Sequence, residues 1–333
     1  MIASGRRVSR EWLALREPAD AAARAVELVE RLARRPRWII HDLGCGTGAM
    51  GRWLAPLLRG PQHWILHDRD PDLLEAALAL PPGPAADGAA VTVEARRSDI
   101  TRLRAGDLAG CTLITASALL DLLTEEELDG LIAACAGAGC PVLLTLSVVG
   151  QVTMAPADPL DRRVAAAFDA HQRRVTDGGR LLGPDAVARA MQQFARLGFD
   201  VLVRPTPWRL GVAEARLAAE WFAGWFGAAG EQDVELAAEA GLYPQRRLAQ
   251  AASGRLNVTV GHADLLVSPR PESVRLEPRR ERVAQQHHVA DLANLGECRP
   301  PAGVPGEAAV AHEPGGAGVA HEERGDDQLQ LVG

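Results

Sequence analysis

The chain has 333 residues, 47% hydrophobic and 24% charged, and its net charge of −7 without an obvious basic cluster disfavours nucleic acid as a partner. It contains no lysine, which excludes a Walker-type phosphate loop and Schiff-base chemistry. Its five cysteines form no CxxC pair, so we expect free thiols. No apolar run is long enough to cross a bilayer, so we expect no membrane partner. No signal peptide is visible, and we therefore expect a cytoplasmic location.

Helical periodicity marks the start of the chain, from Glu11 to Leu32. Pro18 falls inside this stretch, and proline is tolerated at the start of a helix but not in its interior. We therefore expect two helices, the second beginning near Pro18. Residues 1–36 would form N-terminal cap helices.

A glycine-rich turn follows at 41–48, with the sequence His-Asp-Leu-Gly-Cys-Gly-Thr-Gly. It lies between the apolar run 38–40 and an apolar-periodic segment, which predicts a strand, a tight turn and a helix whose N-terminal amides face a ligand. Asp42 would repel a pyrophosphate and suits an ammonium group or ordered water. The spacing of Gly46, Gly48 and Gly51 also satisfies the dinucleotide pattern, so a NAD-dependent dehydrogenase stays an alternative.

Three more strands are predicted at 63–68, 91–95 and 111–116. The first ends in Asp68, whose two carboxylate oxygens can accept both ribose hydroxyls of an adenosine. The next leads to Asp99, which can accept from an adenine amino group. Small residues around Ser117 leave room for a ligand across the carboxyl ends of the strands.

The string at 42–48, together with Asp68 and Asp99, resembles the class I S-adenosylmethionine-dependent methyltransferases. The resemblance implies an α/β, Rossmann-like methyltransferase fold over residues 37–268, with a mostly parallel seven-stranded sheet, an antiparallel C-terminal strand and helices on both faces. Asp70 departs from the family pattern by offering a second carboxylate. The implied cofactor is S-adenosyl-L-methionine, held by Asp42, Gly44, Cys45, Gly46, Gly48, Asp68, Arg69, Asp99, Ile100 and Ser117.

The second half of the chain continues the alternation. Thr124 is predicted to cap a helix, a fifth strand spans 141–147, and residues of about 148–180 form an insertion that the resemblance identifies as a substrate lid. A helix begins at Pro184, and β-rich runs at 199–204 and 255–262 would close the sheet. A helix at about 212–228 carries Trp221, Phe222, Trp225 and Phe226 on one face, which favours core packing, with a pocket wall or a homodimer contact near Trp221 and Trp225 as alternatives.

The acceptor and the catalytic groups are less defined by the sequence. No Asn-Pro-Pro-Tyr-like string follows strand four, which in the resembled family favours a small-molecule acceptor. The candidates for a catalytic base are His171, Ser147 and Asp121, and no metal site is expected. A non-catalytic cofactor-binding interaction protein is a further alternative. Residues 271–333 are rich in Pro, Gly, Glu and Ala and predict a disordered tail.

Overall fold

The computed structural model describes residues 8–270, which are built around one mixed β-sheet. Five strands run parallel in the order β3-β2-β1-β4-β5, and the long β10 continues the sheet antiparallel to β5. β8 and the short β9 both pair with the other edge of β10. The strands are β1 (Trp38–Leu43), β2 (Gln62–Asp68), β3 (Val91–Arg97), β4 (Leu113–Ser117), β5 (Val142–Ala155), β6 (Val175–Thr176), β7 (Gly179–Arg180), β8 (Phe199–Pro205), β9 (Trp208–Leu210) and β10 (Asn257–Pro269).

This strand order confirms the predicted fold class, with one addition, because β9 brings the sheet to eight strands. The antiparallel β10 inserted between β5 and β8 differs from the 3-2-1-4-5-6 order of dinucleotide-binding folds. The dehydrogenase alternative therefore gains no support from the topology. β6 and β7 form a separate two-stranded hairpin.

Helices cover both faces of the sheet. Leu113 and Ile114 are neighbours on β4 and point to opposite faces, yet both are fully buried, and so are Leu265 and Leu266 on β10. The helices are α1 (Arg10–Ala23), α2 (Val26–Val29), α3 (Ala49–Leu54), α4 (Pro71–Ala79), α5 (Glu125–Ala138), α6 (Asp161–Gln172), α7 (Ala186–Arg196), α8 (Ala215–Gln232), α9 (Val234–Glu239) and α10 (Tyr243–Ala252).

Local sequence signals explain several element boundaries. Thr124 caps α5 through a capping box: its hydroxyl accepts from the Glu127 N–H at 3.2 Å, and the Glu127 carboxylate accepts from the Thr124 N–H at 2.9 Å. In the turn between β1 and α3, Gly44, Gly46 and Gly48 all have positive φ values, of +66°, +54° and +82°. The predicted glycine turn and the predicted cap at Thr124 are both confirmed.

The N-terminal helix prediction is wrong in its division at Pro18. α1 runs through Pro18 from Arg10 to Ala23, and the second helix is the short α2. An interior proline removes one backbone hydrogen bond and crowds the preceding turn. Tertiary contacts offset this cost, since Trp12, Leu15 and Ala19 pack against a hydrophobic cluster that includes Trp208 and Trp221.

The later strands and helices were predicted too short or were missed. β5 continues to Ala155 and β10 to Pro269, whereas the predicted strands ended at 147 and 262. Trp208 begins β9 rather than leading into a helix, and α9 and α10 had no predicted counterpart. The predicted disordered tail at 271–333 lies outside the described residues. Between residues 8 and 270, no helix is both long and apolar enough to cross a membrane.

Candidate active site

A cavity of about 400 Å³ lies at the carboxyl edge of the parallel strands, where open α/β sheets bind ligands. The segments that follow β1, β2, β3 and β4 all contribute to its wall. Seven of the ten predicted cofactor-binding residues line it, namely Gly44, Gly46, Asp68, Arg69, Asp99, Ile100 and Ser117.

Asp68 connects the end of β2 to the glycine turn. Its Oδ2 accepts a hydrogen bond from the Gly46 N–H at 3.0 Å, and its Oδ1 accepts one from the Asp70 N–H at 2.9 Å. Each carboxylate oxygen has a further lone pair, so two more donors can be bound from the cavity side. Asp70 caps α4, its carboxylate accepting from the Asp72 N–H at 3.0 Å, which assigns a structural role to the second carboxylate seen in the sequence.

Asp99 combines a position in the wall with a local structural role. Its Oδ1 accepts from the N–H of Thr101 at 3.1 Å and from the Thr101 hydroxyl at 2.7 Å, which caps a short 3-10 turn. Ile100, next to it, adds an apolar surface to the same wall. The pair presents one polar and one apolar group to the cavity.

Three predicted cofactor-binding residues do not line the cavity. Asp42 is buried behind the turn, where its Oδ1 accepts from the Thr115 hydroxyl at 2.7 Å and its Oδ2 has no hydrogen-bond partner. Burial raises the pKa of Asp42 to about 7. Cys45 and Gly48 also pack inward, and Gly48 lies against Ala77. In the structure these three lie behind the turn, and their contact with a cofactor stays a prediction.

A buried arginine stands behind Ser117. The Ser117 hydroxyl accepts from Arg24 Nη2 at 3.1 Å and from the Thr145 hydroxyl at 3.0 Å. Arg24 is only 4% exposed, its Nε and Nη1 have no hydrogen-bond partner, and its guanidinium lies over the Trp53 ring at 5.3 Å. Burial lowers the pKa of Arg24. The carboxylates of Asp20, Asp264 and Asp42 oppose this lowering, and a guanidinium with two unpaired nitrogens behind the cavity wall favours a further anionic group nearby.

The other end of the cavity is aromatic. Trp12 of α1, Phe168 of α6, Trp208 of β9 and Trp221 of α8 all line it. The aromatic face of α8 thus does both things considered from the sequence: it packs in the core, and through Trp221 it forms part of the pocket wall. Trp221 and Trp225 are 4% and 0% exposed within this chain, so their side chains are not available to a partner subunit. A homodimer contact by other residues of the helix near Trp221 and Trp225 stays a prediction.

Two of the three candidate bases reach the cavity. Asp121 lines it, and burial raises the pKa of this carboxyl to about 6. His171 also lines it and lies 3.1 Å from Glu231 Oε2 through its Nε2, while burial lowers the pKa of the imidazole. Ser147 is buried in β5 outside the cavity, and its hydroxyl has no partner. Asp121 and His171 are therefore the better placed of the three candidates, and all three catalytic roles stay predictions.

Sequence reasoning missed His262, which lines the aromatic end. The predicted strand ended at this residue, whereas β10 continues through it. The available signal was the alternation with Val260, which also lines the cavity and shares its face of the strand.

Comparison with known proteins gives a limited result. No family model matches the chain, and no curated protein matches it. Among solved structures, the cyclopropane synthase MmaA2 from Mycobacterium tuberculosis is 13% identical, with 78% of this chain and 95% of that one covered and a TM-score of 0.43. A SAM-dependent methyltransferase from Methanosarcina mazei is 10% identical, with 73% and 98% covered and a TM-score of 0.41. Likenesses this distant do not place the chain in a family.

Proposed function

We propose that this chain is an S-adenosylmethionine-dependent methyltransferase that acts on a small molecule. The observation that supports this most is the continuity of the cavity. One end presents the glycine turn and the Asp68 carboxylate, and the other end is walled by aromatic side chains. Such a cavity can hold a nucleoside donor and an apolar acceptor side by side.

The residues at the donor end fit the cofactor. A Cβ at Gly44 would lie 3.1 Å from Leu119 Cδ1, and one at Gly46 would lie 3.3 Å from Leu13 Cδ1, so side chains there would crowd this part of the cavity. The free lone pairs of Asp68 suit a ribose diol, and Ile100 with Asp99 suits an adenine. Arg24, acting through or beside Ser117, suits the carboxylate of the methionine moiety.

Methyl transfer requires mainly that the donor and the acceptor are correctly positioned and that water is excluded. When bound, the cofactor supplies an activated methyl group on a sulfonium. The chain's own part is to hold the acceptor in line with it and to exclude water with Trp12, Phe168, Trp208 and Trp221. Asp121, whose pKa of about 6 lies close to neutrality, is the carboxylate best suited to take a proton from an acceptor.

Calorimetric titration with S-adenosylhomocysteine tests the proposal. We expect saturable binding by the wild-type chain, and Asp68→Asn to weaken it about tenfold or more, because a charged acceptor of the ribose hydroxyls is removed. Asp87→Asn is the matched control, since Asp87 also accepts backbone N–H hydrogen bonds, from Gly60 and Ala89, but is outside the cavity.

Two outcomes decide the matter. Absence of binding at millimolar S-adenosylhomocysteine, in a sample that unfolds cooperatively, would rule out the proposed cofactor. Equal weakening by Asp68→Asn and Asp87→Asn would refute the placement of the ribose at Asp68. A screen with methyl-labelled S-adenosylmethionine over metabolite fractions then searches for the acceptor, and incorporation of label lost in Asp68→Asn is the result we expect.

A further inference from the structure

Asp121 lies in the turn that follows β4, at the edge of the sheet where the cavity is found. Ala118 begins this turn with a φ of +51°, a left-handed conformation that is rare for residues other than glycine and clusters at functional sites. Leu119 faces the donor end, because its Cδ1 would lie 3.1 Å from a Cβ at Gly44. Asp121 follows two residues later and lines the same cavity. The turn therefore carries a carboxylate next to the contact with the glycine turn.

Electrostatic interactions also connect Asp121 with the aromatic end. The charge of Arg16 acts on Asp121, and the guanidinium of Arg16 lies over the Trp208 ring at 4.9 Å. The charge of Arg174 acts on Asp121 as well, and Arg174 Nη1 donates to the His171 carbonyl of α6 at 3.2 Å. Asp121 is therefore located where the two ends of the cavity meet.

Among the carboxylates of the cavity wall, Asp121 differs in its lack of a partner within residues 8–270. Each of the other four accepts a hydrogen bond from another residue, namely Asp68, Asp70, Asp99 and Glu127. The Asp121 side chain forms no hydrogen bond or ion pair with another described residue. Asp121 is partly exposed, and neither of its oxygens is both buried and unpaired, as Oδ2 of Asp42 is. A ligand in the cavity can thus reach a carboxylate that the described chain leaves unpaired.

The charges around this carboxylate favour a cation as its partner. Five carboxylates and three guanidinium groups line the cavity, so its wall has an excess of two negative charges. Arg16 is already neutralised, because Asp20 accepts two hydrogen bonds from it, at 2.9 and 3.1 Å. Arg174 and Glu127 carry opposite charges in the same wall. The charge of Asp121 is therefore left without a counterpart at this end of the cavity.

A carboxylate in these surroundings binds an ammonium group better than a neutral donor. Burial disfavours the ionised carboxylate and raises the pKa of Asp121 to about 6. A cation in contact offsets this cost through a charge-assisted hydrogen bond, whereas a hydroxyl group offsets less of it. Trp12 and Trp221, which line the aromatic end, can add cation–π attraction.

We propose that the methyl acceptor is an amine that binds as an ammonium ion paired with the Asp121 carboxylate, with its apolar body among the aromatic side chains. The inference rests on the proposed function and adds the substrate class to it. The ammonium ion transfers one proton to the carboxylate, which frees the lone pair on nitrogen. That lone pair forms the bond to the methyl carbon as the carbon–sulfur bond breaks, and the sulfur keeps the bonding electrons. The product is a methylated ammonium ion, and Asp121 returns its proton to water.

The experiment uses benzylamine and benzyl alcohol as probes, because they have nearly the same shape and differ in an ammonium and a hydroxyl group. Dissociation constants are measured at neutral pH by NMR titration of the full chain, with and without S-adenosylhomocysteine. We expect the wild type to bind benzylamine more tightly than benzyl alcohol. Asp121→Asn should lower this preference about tenfold or more, because it removes a charge-assisted hydrogen bond.

Two further variants show whether the charge at this position is what matters. Asp121→Glu is the rescue variant, since it keeps a carboxylate, and it should retain part of the preference for benzylamine. Asp169→Asn is the matched control, because burial also raises the pKa of Asp169 to about 6 but this residue does not line the cavity. It should leave the preference unchanged.

The pH dependence gives a readout that a purely structural role would not produce. The affinity of the wild type for benzylamine should rise between pH 5 and pH 8, because the ion pair requires an ionised Asp121. The rise should be smaller in Asp121→Asn, which retains His171, Glu127 and both arginines of this end. Carbon-13 spectra of the wild type need no substitution: benzylamine should lower the pKa of the Asp121 carboxyl, and benzyl alcohol should not.

The outcomes separate this inference from the proposed function. An equal preference for benzylamine in the wild type and in Asp121→Asn overturns the role of Asp121. Tighter binding of benzyl alcohol than of benzylamine overturns the amine as acceptor, and so does a chain that binds S-adenosylhomocysteine but neither probe. Failure to bind S-adenosylhomocysteine instead overturns the proposed function, and a preference for benzylamine that Asp121→Asn abolishes would still support the ammonium site.

Discussion

At the scale of single residues, Asp42 has the most consequential environment behind the glycine turn. Its carboxylate is fully buried, accepts one hydrogen bond from Thr115 and leaves Oδ2 unpaired. Burial raises the pKa of Asp42 to about 7. The charge of nearby Asp68 raises this pKa further, and the charge of Arg24 lowers it. Because the folded pKa exceeds the value of 3.8 in the unfolded chain, the unfolded state loses this proton first as pH rises. The contribution of Asp42 to the free energy of unfolding is therefore largest below about pH 4 and decreases as the pH rises to about 7.

This environment predicts a pH-dependent effect of Asp42→Asn. The free energy of unfolding of the variant, relative to the wild type, should increase between pH 5 and pH 8, because the variant has no proton to lose. Urea unfolding at the two pH values measures the difference. Asp87→Asn should show no such change, since its backbone hydrogen bonds lower the Asp87 pKa and move its titration below this range. A flat difference for Asp42→Asn would contradict the raised pKa.

At the scale of elements, an ion pair joins α10 to α6 beside the aromatic end of the cavity. Arg247, 1% exposed, donates through Nη2 to both oxygens of Asp161 at 2.6 Å, and the Tyr243 hydroxyl donates to the same carboxylate at 2.8 Å. Arg247→Met should lower the free energy of unfolding by about 1.5–3 kcal/mol, because it removes charge-assisted hydrogen bonds made by a buried guanidinium and leaves Asp161, whose side chain is 17% exposed, without its charge partner.

Arg246→Met, in the adjacent position, is the control for Arg247→Met. Arg246 pairs with Asp158 at 2.6 Å, but its side chain is 52% exposed, so we expect a cost of about 0–1 kcal/mol. Urea unfolding at neutral pH compares the two variants. Similar costs for both would show that the buried pair adds no more than a surface one.

A second element-scale prediction concerns Gly261, where the register between β10 and β5 shifts between Val260 and His262. Gly261→Ala should destabilise the chain by about 1–3 kcal/mol, because its Cβ has no room between Val149 and Gln151. Gly227→Ala on α8 is the matched control: nothing lies within 4 Å of its Cβ, and alanine favours a helix, so a small gain is expected. Thermal unfolding measures both, and a loss in the control equal to that of Gly261→Ala would refute the steric argument.

The elements also show which parts of the structure the sequence could predict. The glycine turn, the helix cap at Thr124 and the carboxylate at the end of β2 were predicted because each depends on residues close in sequence. The second half of β10 was missed because Asp264 interrupts its apolar run. That carboxylate is buried and accepts from the N–H groups of Ala25 and Leu146 and from the Thr206 hydroxyl, all distant in sequence. His262 was missed for a related reason: its place in the cavity wall depends on β5, β9 and β10, which meet only in the fold.

At the scale of the whole molecule, the cavity joins elements from both ends of the described chain. Its wall includes Trp12 of α1, the turn after β1, and His262 of β10. The donor end exists only when these segments are folded against one another, so a ligand bound there stabilises the folded chain. This coupling converts cofactor binding into a change in the unfolding temperature.

S-adenosylhomocysteine should therefore raise the unfolding temperature in a concentration-dependent way. At a hundred times its dissociation constant the gain is about 2.7 kcal/mol, which for a chain of this size corresponds to roughly 4–5 °C. Differential scanning calorimetry across a ligand series measures the shift. Asp68→Asn should displace the curve to higher ligand concentration, because Asp68 lies at the donor end. His262→Leu should leave the curve in place, because His262 is at the aromatic end. Displacement of the curve by His262→Leu would mean that the two ends of the cavity are not separate binding regions.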